Sequence, residues 1–252
     1  MNCSVKTRKC TQAGFSLIEL MVSILILVIV MGVVFRQVDN IQMNAKTEAL
    51  KLDLTQESRE FADQFARDIH MSGFPTSRIY QNPNPGGPTD PGGQQSPVTA
   101  LGLVYASGTS IRFEGDVYGD GNVYSVVYTY VAVDPDPNCP CLRRSALVKI
   151  QADPVTKQTP AKYYTEVQNV IDPTGMAQGI FTFFQADGTA VDLTPFTCVD
   201  GTTGCVDIDS NPSTIQLIDA IKVNLNTKSH EYDPRTGRRV VNNISTIAEL
   251  EN

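Results

Sequence analysis

The feature that most constrains this chain of 252 residues is an apolar run from Phe15 to Phe35 that contains one carboxylate, Glu19. As a helix, a run of this length extends about 31 Å at about 1.5 Å per residue, which matches the roughly 30 Å hydrocarbon core of a bilayer. A carboxylate in such a span costs on the order of 2.5–3.5 kcal/mol at mid-depth and less near an end. Glu19 is therefore predicted to have a function.

Charges and small residues around the run indicate how the chain is inserted and processed. Lys6, Arg8 and Lys9 precede the run, and no acid lies before Glu19. The positive-inside rule predicts a cytoplasmic N-terminus, with the C-terminal bulk on the other side of the membrane. The residues that follow the run lack the small-residue pattern at which a secretory signal is cut. The run is therefore predicted to stay attached to the mature protein.

A short basic leader followed by Gly14, Phe15 and Glu19 resembles the N-terminal signal of type IV prepilins and type II secretion pseudopilins. The resemblance implies that prepilin peptidase cuts between Gly14 and Phe15 and methylates the new amino group of Phe15. It also implies that Glu19 pairs with the N-terminal amine of a neighbouring subunit in a filament. The competing interpretation is a plain single-span anchor with a chance acidic residue.

Beyond the run, apolar residues recur at spacings of four and seven, which predicts a helix with one buried face that continues to about Ser72. These residues are Leu50, Leu54, Phe61, Phe65 and Ile69. Gly73 and Pro75 then provide a helix end. The predicted organisation is a leader at 1–14, a helix at 15–73 with its transmembrane segment at 15–35, and a β-rich head at 74–252.

The head is predicted to be antiparallel β, which makes the fold class α+β: one long N-terminal helix, membrane-spanning in its first half, packed on an antiparallel β-sheet head. A loop rich in proline and glycine at 82–97 separates helix and head. Turn signals stand at Gly119–Asn122, Ala186–Thr189 and Asp233–Gly237. The predicted strands are Ser110–Glu114, Val123–Val133, Leu142–Ile150, Gly179–Phe184, Ala190–Leu193, Ile215–Asn226 and Val240–Glu249.

Four segments of the head and helix resemble PilW-type minor pilins and, less closely, the J-type minor pseudopilin. They are Phe61–Ile69 with Gly73 after it, Gly119–Gly121 leading into Val126–Tyr128, the Phe181–Gly188 hairpin, and the closing Ile244–Asn252. The resemblance implies a structural subunit, not an enzyme, in a priming or tip complex of a type IV pilus. The alternatives are a J-type pseudopilin of type II secretion and a filament-displayed adhesin or DNA-uptake subunit.

The same resemblance implies the partners and the location. The partners are prepilin peptidase, other major and minor pilins that pack along the N-terminal helix, the inner-membrane assembly platform, and membrane lipid before assembly. The chain is expected to be a single-pass inner-membrane protein first and then part of a pilus or a periplasmic pseudopilus, with its head outside the cytoplasm. No cofactor is predicted.

Four cysteines lie in the head, where an oxidising compartment favours disulfides. Cys198 and Cys205 flank a glycine-containing loop and form the favoured pair. Cys139 and Cys141 are a further possible disulfide, although a bridge across a single proline is strained. Cross-links between the two pairs are the alternative, and a four-thiolate zinc site is a less favoured one because its ligand spacing would be unusual.

Other ligand sites have weaker support. Asp116–Gly121 is similar to a calcium loop, but Tyr118 occupies a ligand position and Val127 replaces the bidentate glutamate. A hairpin turn is the better interpretation. The resemblance to pseudopilins, some of which bind calcium in other loops, makes Asp207 and Asp209 the alternative calcium ligands. No metal site is predicted. The two histidines, at 70 and 230, are accompanied by no nucleophile motif.

Nucleic acid is not a predicted partner, despite a basic cluster of Arg235, Arg238 and Arg239. Loss of the leader removes three cations and no acid, so the formal charge falls from −7 to −10. A chain of that charge repels phosphate unless its cations are segregated. The cluster is therefore interpreted as a solvated hairpin tip.

Overall fold

The long N-terminal helix is the first element of the structure, a computed structural model that describes residues 16–75, 98–132, 139–150, 152–158, 162–171 and 179–250. Helix α1 runs from Leu17 to His70, about 80 Å at 1.5 Å per residue. Ser16 precedes it in an extended conformation. At the other end Gly73 has a φ of 83°, a value that favours glycine and ends the helix close to its predicted limit.

Nine antiparallel strands form two sheets in the described residues. The larger sheet has the order β5-β4-β3-β2-β1-β7 and the smaller one the order β6-β8-β9. The strands are β1 Gly102–Ser107, β2 Ser110–Gly115, β3 Tyr124–Val131, β4 Cys141–Val148, β5 Tyr164–Gln168, β6 Phe181–Phe184, β7 Cys205–Asp207, β8 Ala220–Tyr232 and β9 Arg239–Glu249; a short helix α2 spans Pro212–Ile215. The predicted α+β fold class, with a long helix and antiparallel sheets, is confirmed.

The core lies where the second half of α1 meets both sheets. Phe65 is fully buried, and its ring centroid lies 5.5 Å from that of Tyr128 in β3 and 6.0 Å from that of Phe181 in β6. Leu54, Phe61 and Ile69, the other fully apolar positions of the predicted face, are buried as well, while Leu50 is half-buried. The spacing of apolar residues therefore identified the buried helix face correctly.

One predicted strand was wrong, and another was correct in its middle but not in its bounds. Residues Ala190–Leu193 form no strand, because only Ala190 pairs with β6, through a single bridge to Phe184. In the segment predicted as Ile215–Asn226, the first residues complete α2 and a turn, and β8 begins at Ala220 and continues to Tyr232. Prolonged pairing with β9 extends the strand beyond its apolar part.

Three strands were not predicted, β1, β5 and β7. Strand β7 has only three residues, and β1 pairs with it across about a hundred residues of sequence. The predicted turn at Gly119–Asn122 joins β2 to β3, and the one at Asp233–Gly237 joins β8 to β9. The predicted loop at 82–97 lies outside the described residues.

Candidate assembly interface

The first half of α1 projects from the head with its side chains exposed. Every residue from Ser16 to Lys46 is exposed, and the large apolar side chains of the run lie between 47% and 77% exposed. The projection from Leu17 to Lys46 is about 44 Å long at 1.5 Å per residue. In the described part of the chain, one helix is long and apolar enough to cross a membrane. This surface requires lipid or other helices around it.

Glu19 lies in the first turn of α1. Its backbone N–H donates to the Ser16 carbonyl oxygen at 3.0 Å, and its own carbonyl accepts the Ser23 hydroxyl at 2.8 Å. Among the described residues, the Glu19 carboxylate has no hydrogen-bond or ion-pair partner. The helix dipole favours a negative charge there by only about 0.3–1 kcal/mol, less than the cost of burial in lipid. The predicted cleavage residues Gly14 and Phe15 lie outside the described residues.

The head first contacts α1 at the end of the β8–β9 hairpin. The Lys46 ammonium lies 2.7 Å from a Glu231 carboxylate oxygen, and the Thr47 hydroxyl donates to Asp233 at 2.6 Å. We call these four residues the helix-base contacts. The bonds from Thr47, from the Thr236 hydroxyl and from a backbone N–H of the turn lower the pKa of Asp233 to about 2.

Near the far end of α1, a buried ion pair joins the helix to the larger sheet. Arg144 Nε and the Tyr128 hydroxyl both donate to Asp68 Oδ2 at 2.7 Å. Burial and the neighbouring Asp68 raise the pKa of Tyr128 well above its ordinary value. Burial lowers the pKa of Arg144, but Tyr128 and Asp68 outweigh it and raise that pKa overall. This pair aligns the helix end with β3 and β4.

A second buried ion pair joins β2 to the residue after β4. Lys149 Nζ lies 2.6 Å from Glu114 Oε2, and the two side chains are 0% and 1% exposed. The ammonium also donates to the Thr99 carbonyl oxygen at 3.1 Å, and the Leu101 N–H donates to Glu114 at 3.2 Å. Burial raises the pKa of Glu114, and Lys149 opposes that rise.

The structure pairs the four cysteines of the head locally. Cys198 is bonded to Cys205 with their Cα atoms 5.8 Å apart, and Cys139 to Cys141 with Cα atoms 4.4 Å apart. The structure therefore contains neither the cross-links between the pairs nor a four-thiolate site. Both bridges lie beside strands of the larger sheet, at β7 and β4.

The aspartate side chains in the turns accept hydrogen bonds from nearby backbone N–H groups. The Asp116 carboxylate accepts the N–H groups of Asp120 and Gly121 at 3.1 and 2.9 Å. Asp207 accepts the N–H groups of Val199 and Asp209 at 2.7 and 3.0 Å. Within the described ranges, no group of three or more His, Cys, Asp or Glu side chains is placed to hold a metal ion.

The two histidines lie far apart. His70 ends α1, whereas His230 adjoins Glu231, which contacts Lys46. Lys46 and His70 are 24 positions apart on α1, which corresponds to about 36 Å along the helix axis. The arginine cluster predicted from the sequence lies at the tip of the β8–β9 hairpin.

The sequence analysis identified Glu19 but missed the helix-base contacts and both buried ion pairs. Each of these joins residues more than 30 positions apart, so no local spacing signals it.

Comparison with known families gives a match at the N-terminus. The family described as the prokaryotic N-terminal methylation motif matches residues 9–35. The matched segment contains Gly14, Phe15 and Glu19 and ends where the apolar run ends. No curated protein and no solved structure matches the chain.

Proposed function

We propose that this chain, which belongs to the type IV pilin and pseudopilin family by its N-terminal methylation motif, is a minor pilin that prepilin peptidase processes at Gly14–Phe15. After processing it is incorporated in a type IV pilus, in a priming or tip complex. The observation that supports this most directly is the exposed apolar half of α1 with Glu19 in its first turn.

The proposed mechanism of incorporation uses the exposed apolar half of α1 and Glu19. Lipid solvates the apolar side chains before assembly, and helices of other major and minor pilins replace it in the filament. Glu19, which has no partner among the described residues, then pairs with the methylated amine of Phe15 of a neighbouring subunit. Only one axial register brings the two charges together, so the pair selects the position at which the subunit enters. The inner-membrane assembly platform supplies the site of entry.

The first experiment is mass spectrometry of the N-terminus of protein from membranes and from sheared filaments. The proposal predicts a chain that starts at N-methylated Phe15. A chain that retains Met1, or one cut after Phe35, would contradict it.

Substitution of Glu19 tests the assembly step separately. Glu19→Gln should still be cut and methylated, but its recovery in filaments should fall on the order of a hundredfold or more, since removal of one partner of a buried pair costs about 3–5 kcal/mol. Asp39→Asn is the matched control, because Asp39 is an exposed acid of the same helix outside the matched segment. Equal recovery of the two variants would refute the role of Glu19.

The same helix also supports a J-type pseudopilin of type II secretion. Recovery in sheared surface filaments favours the pilus, whereas retention in the cell envelope together with loss of exoprotein secretion on deletion favours the pseudopilus. The third alternative, a filament-displayed adhesin or DNA-uptake subunit, predicts that filaments persist after deletion while surface or DNA binding is lost.

A further inference from the structure

A basic hairpin tip lies at the end of the head nearest the projecting half of α1. We define the tip as Tyr232–Arg239, the turn that joins β8 to β9. Arg235 and Arg238 are exposed, and among the described residues their guanidinium groups have no hydrogen-bond or ion-pair partner. The guanidinium of Arg239 lies over the ring of Tyr232 at 5.3 Å. Two arginine side chains of the tip are therefore free to bind another molecule.

The helix-base contacts determine the height of the tip along α1. They place the hairpin beside Lys46 and Thr47, 11 and 12 residues beyond Phe35. That separation is about 16–18 Å along the helix axis. The headgroup layer extends about 5–8 Å beyond the hydrocarbon core. When α1 is upright, the base of the head therefore stands about 10 Å above the outer surface of the headgroup layer.

Charges at that height act on the membrane surface. The gap is close to the Debye length of about 8–10 Å at physiological salt, and the usual helix tilt of roughly 20° lowers one side of the head further. The exposed side chains of Arg235 and Arg238 can extend towards the bilayer and shorten the remaining distance.

The tip is positive although the chain as a whole has a formal charge of −7. The nearest acids of the hairpin are turned towards α1: Glu231 contacts Lys46, and Asp233 accepts from Thr47 and from its own turn. Lys46 compensates the charge of Glu231, and the single charge of Asp233 is outnumbered within the tip by those of Arg235, Arg238 and Arg239. The arginine side chains therefore present a positive end on an otherwise acidic protein.

We infer that the tip binds the anionic phospholipid headgroups of the membrane in which α1 is inserted, and so docks the head on the bilayer before filament entry. Guanidinium groups match phosphate oxygens in bidentate geometry. Each arginine near an anionic surface favours the docked state about fivefold, so Arg235 and Arg238 together favour it on the order of 25-fold. The inference rests on the membrane-anchored state of the proposed function and requires no step of filament assembly.

Energy transfer from the tip to the membrane surface tests this inference. The chain contains no tryptophan, so Tyr232→Trp gives a single donor that preserves an aromatic ring beside Arg239. The full chain is reconstituted at one copy per nanodisc, with a dansyl headgroup acceptor. Transfer should be higher in discs of phosphatidylcholine with phosphatidylglycerol than in discs of phosphatidylcholine alone. The difference should disappear at about 1 M salt, where the Debye length falls to about 3 Å.

Arg235→Gln together with Arg238→Gln should abolish the difference between the two disc types. The matched control removes two remote cations, as Lys222→Gln and Lys162→Gln. Lys222 lies ten residues from Tyr232 along β8, about 33 Å, and Lys162 stands two residues before β5. The control should retain the difference.

Equal transfer in the two disc types, or an arginine variant that behaves like the control, would overturn the inference. Transfer that rises with the number of chains per disc would also overturn it, because the tip would then contact a second copy. A chain that does not enter discs contradicts membrane anchoring and with it both proposals. A chain that docks as expected but is not cut before Phe15 in cells contradicts the proposed function alone.

Discussion

Replacing Lys149 by methionine should leave a buried carboxylate without its cation. Lys149 Nζ lies 2.6 Å from Glu114 Oε2, and both side chains are almost completely buried. Removing one partner of such a pair costs about 3–5 kcal/mol. That cost is a large fraction of the unfolding free energy of a typical protein, which is about 5–15 kcal/mol. In a domain of this size, each kcal/mol of lost stability lowers Tm by about 2–4 °C, so Tm should fall by roughly 6–20 °C.

The loss should depend on pH, because the group left behind titrates. Burial raises the pKa of Glu114 from its ordinary value of 4.5, and Lys149 opposes that rise. In Lys149→Met the folded-state pKa therefore rises further, while the unfolded-state value does not change. A raised folded-state pKa contributes stability below the unfolded pKa that is lost as pH rises through the folded pKa. The deficit should thus be small near pH 4.5 and grow by up to about 1.4 kcal/mol per pH unit between the folded-state pKa of Glu114 in the unsubstituted protein and its higher value in the variant.

Calorimetric melting of the detergent-solubilised full chain at several pH values between about 4.5 and 8 measures this deficit. Lys157→Met is the matched control, because Lys157 is an exposed lysine in the loop after the same strand. It should change stability by no more than about 0.5 kcal/mol. A Lys149→Met deficit that is the same at every pH, or smaller than about 1 kcal/mol at neutral pH, would show that the pair is not desolvated and would refute the reasoning.

Three further predictions concern contacts that hold the elements of the head and α1 together. Gly115→Ala should destabilise the protein by about 1–3 kcal/mol in melting experiments, because a Cβ there would meet a backbone carbonyl oxygen at the end of α1; unchanged melting would contradict this close approach. Replacing Cys198 and Cys205 by serine should lower the unfolding free energy by about 2.5 kcal/mol in denaturant titrations, from the closure of a short loop, and a cost near zero would argue against the bridge. The low pKa of Asp233, about 2, contributes stability above its unfolded value of 3.8 that is lost as pH falls towards 2. Thr47→Val should raise that pKa in an NMR titration, and an unchanged titration would refute the bond between them.

The N-terminal helix could be predicted from the sequence because its signals are local. A helix made of consecutive apolar residues must be shielded from water, whether lipid or other helices provide the shielding. The position of Glu19 within that run follows from the sequence alone, and the family match covers the same residues. The buried face of the second half of α1 was equally predictable, since residues three and four apart share a helix face.

The strands of the head were predictable mainly where a tight-turn sequence joins two strands that are neighbours in the chain. The turn between β2 and β3 and the turn between β8 and β9 contain residues that favour tight turns, and both hairpins were predicted. Ala190–Leu193 has an alternating pattern but lacks a partner strand beyond one bridge. Strands β1 and β7 form an adjacent pair that no local pattern indicates, because their contact spans about a hundred residues.

The sequence by itself determined the membrane-spanning length of the first helix, the place of its one carboxylate, and which face of the second half is buried. Only the tertiary structure decided that Lys149 neutralises Glu114, that Asp68 binds Arg144, and that the arginine tip lies beside Lys46 at the base of the head. The physical reason is the range of the interactions. Helix formation and partition into lipid depend on residues within a few turns of each other, whereas ion pairs and sheet edges depend on which distant segments the folded core brings together.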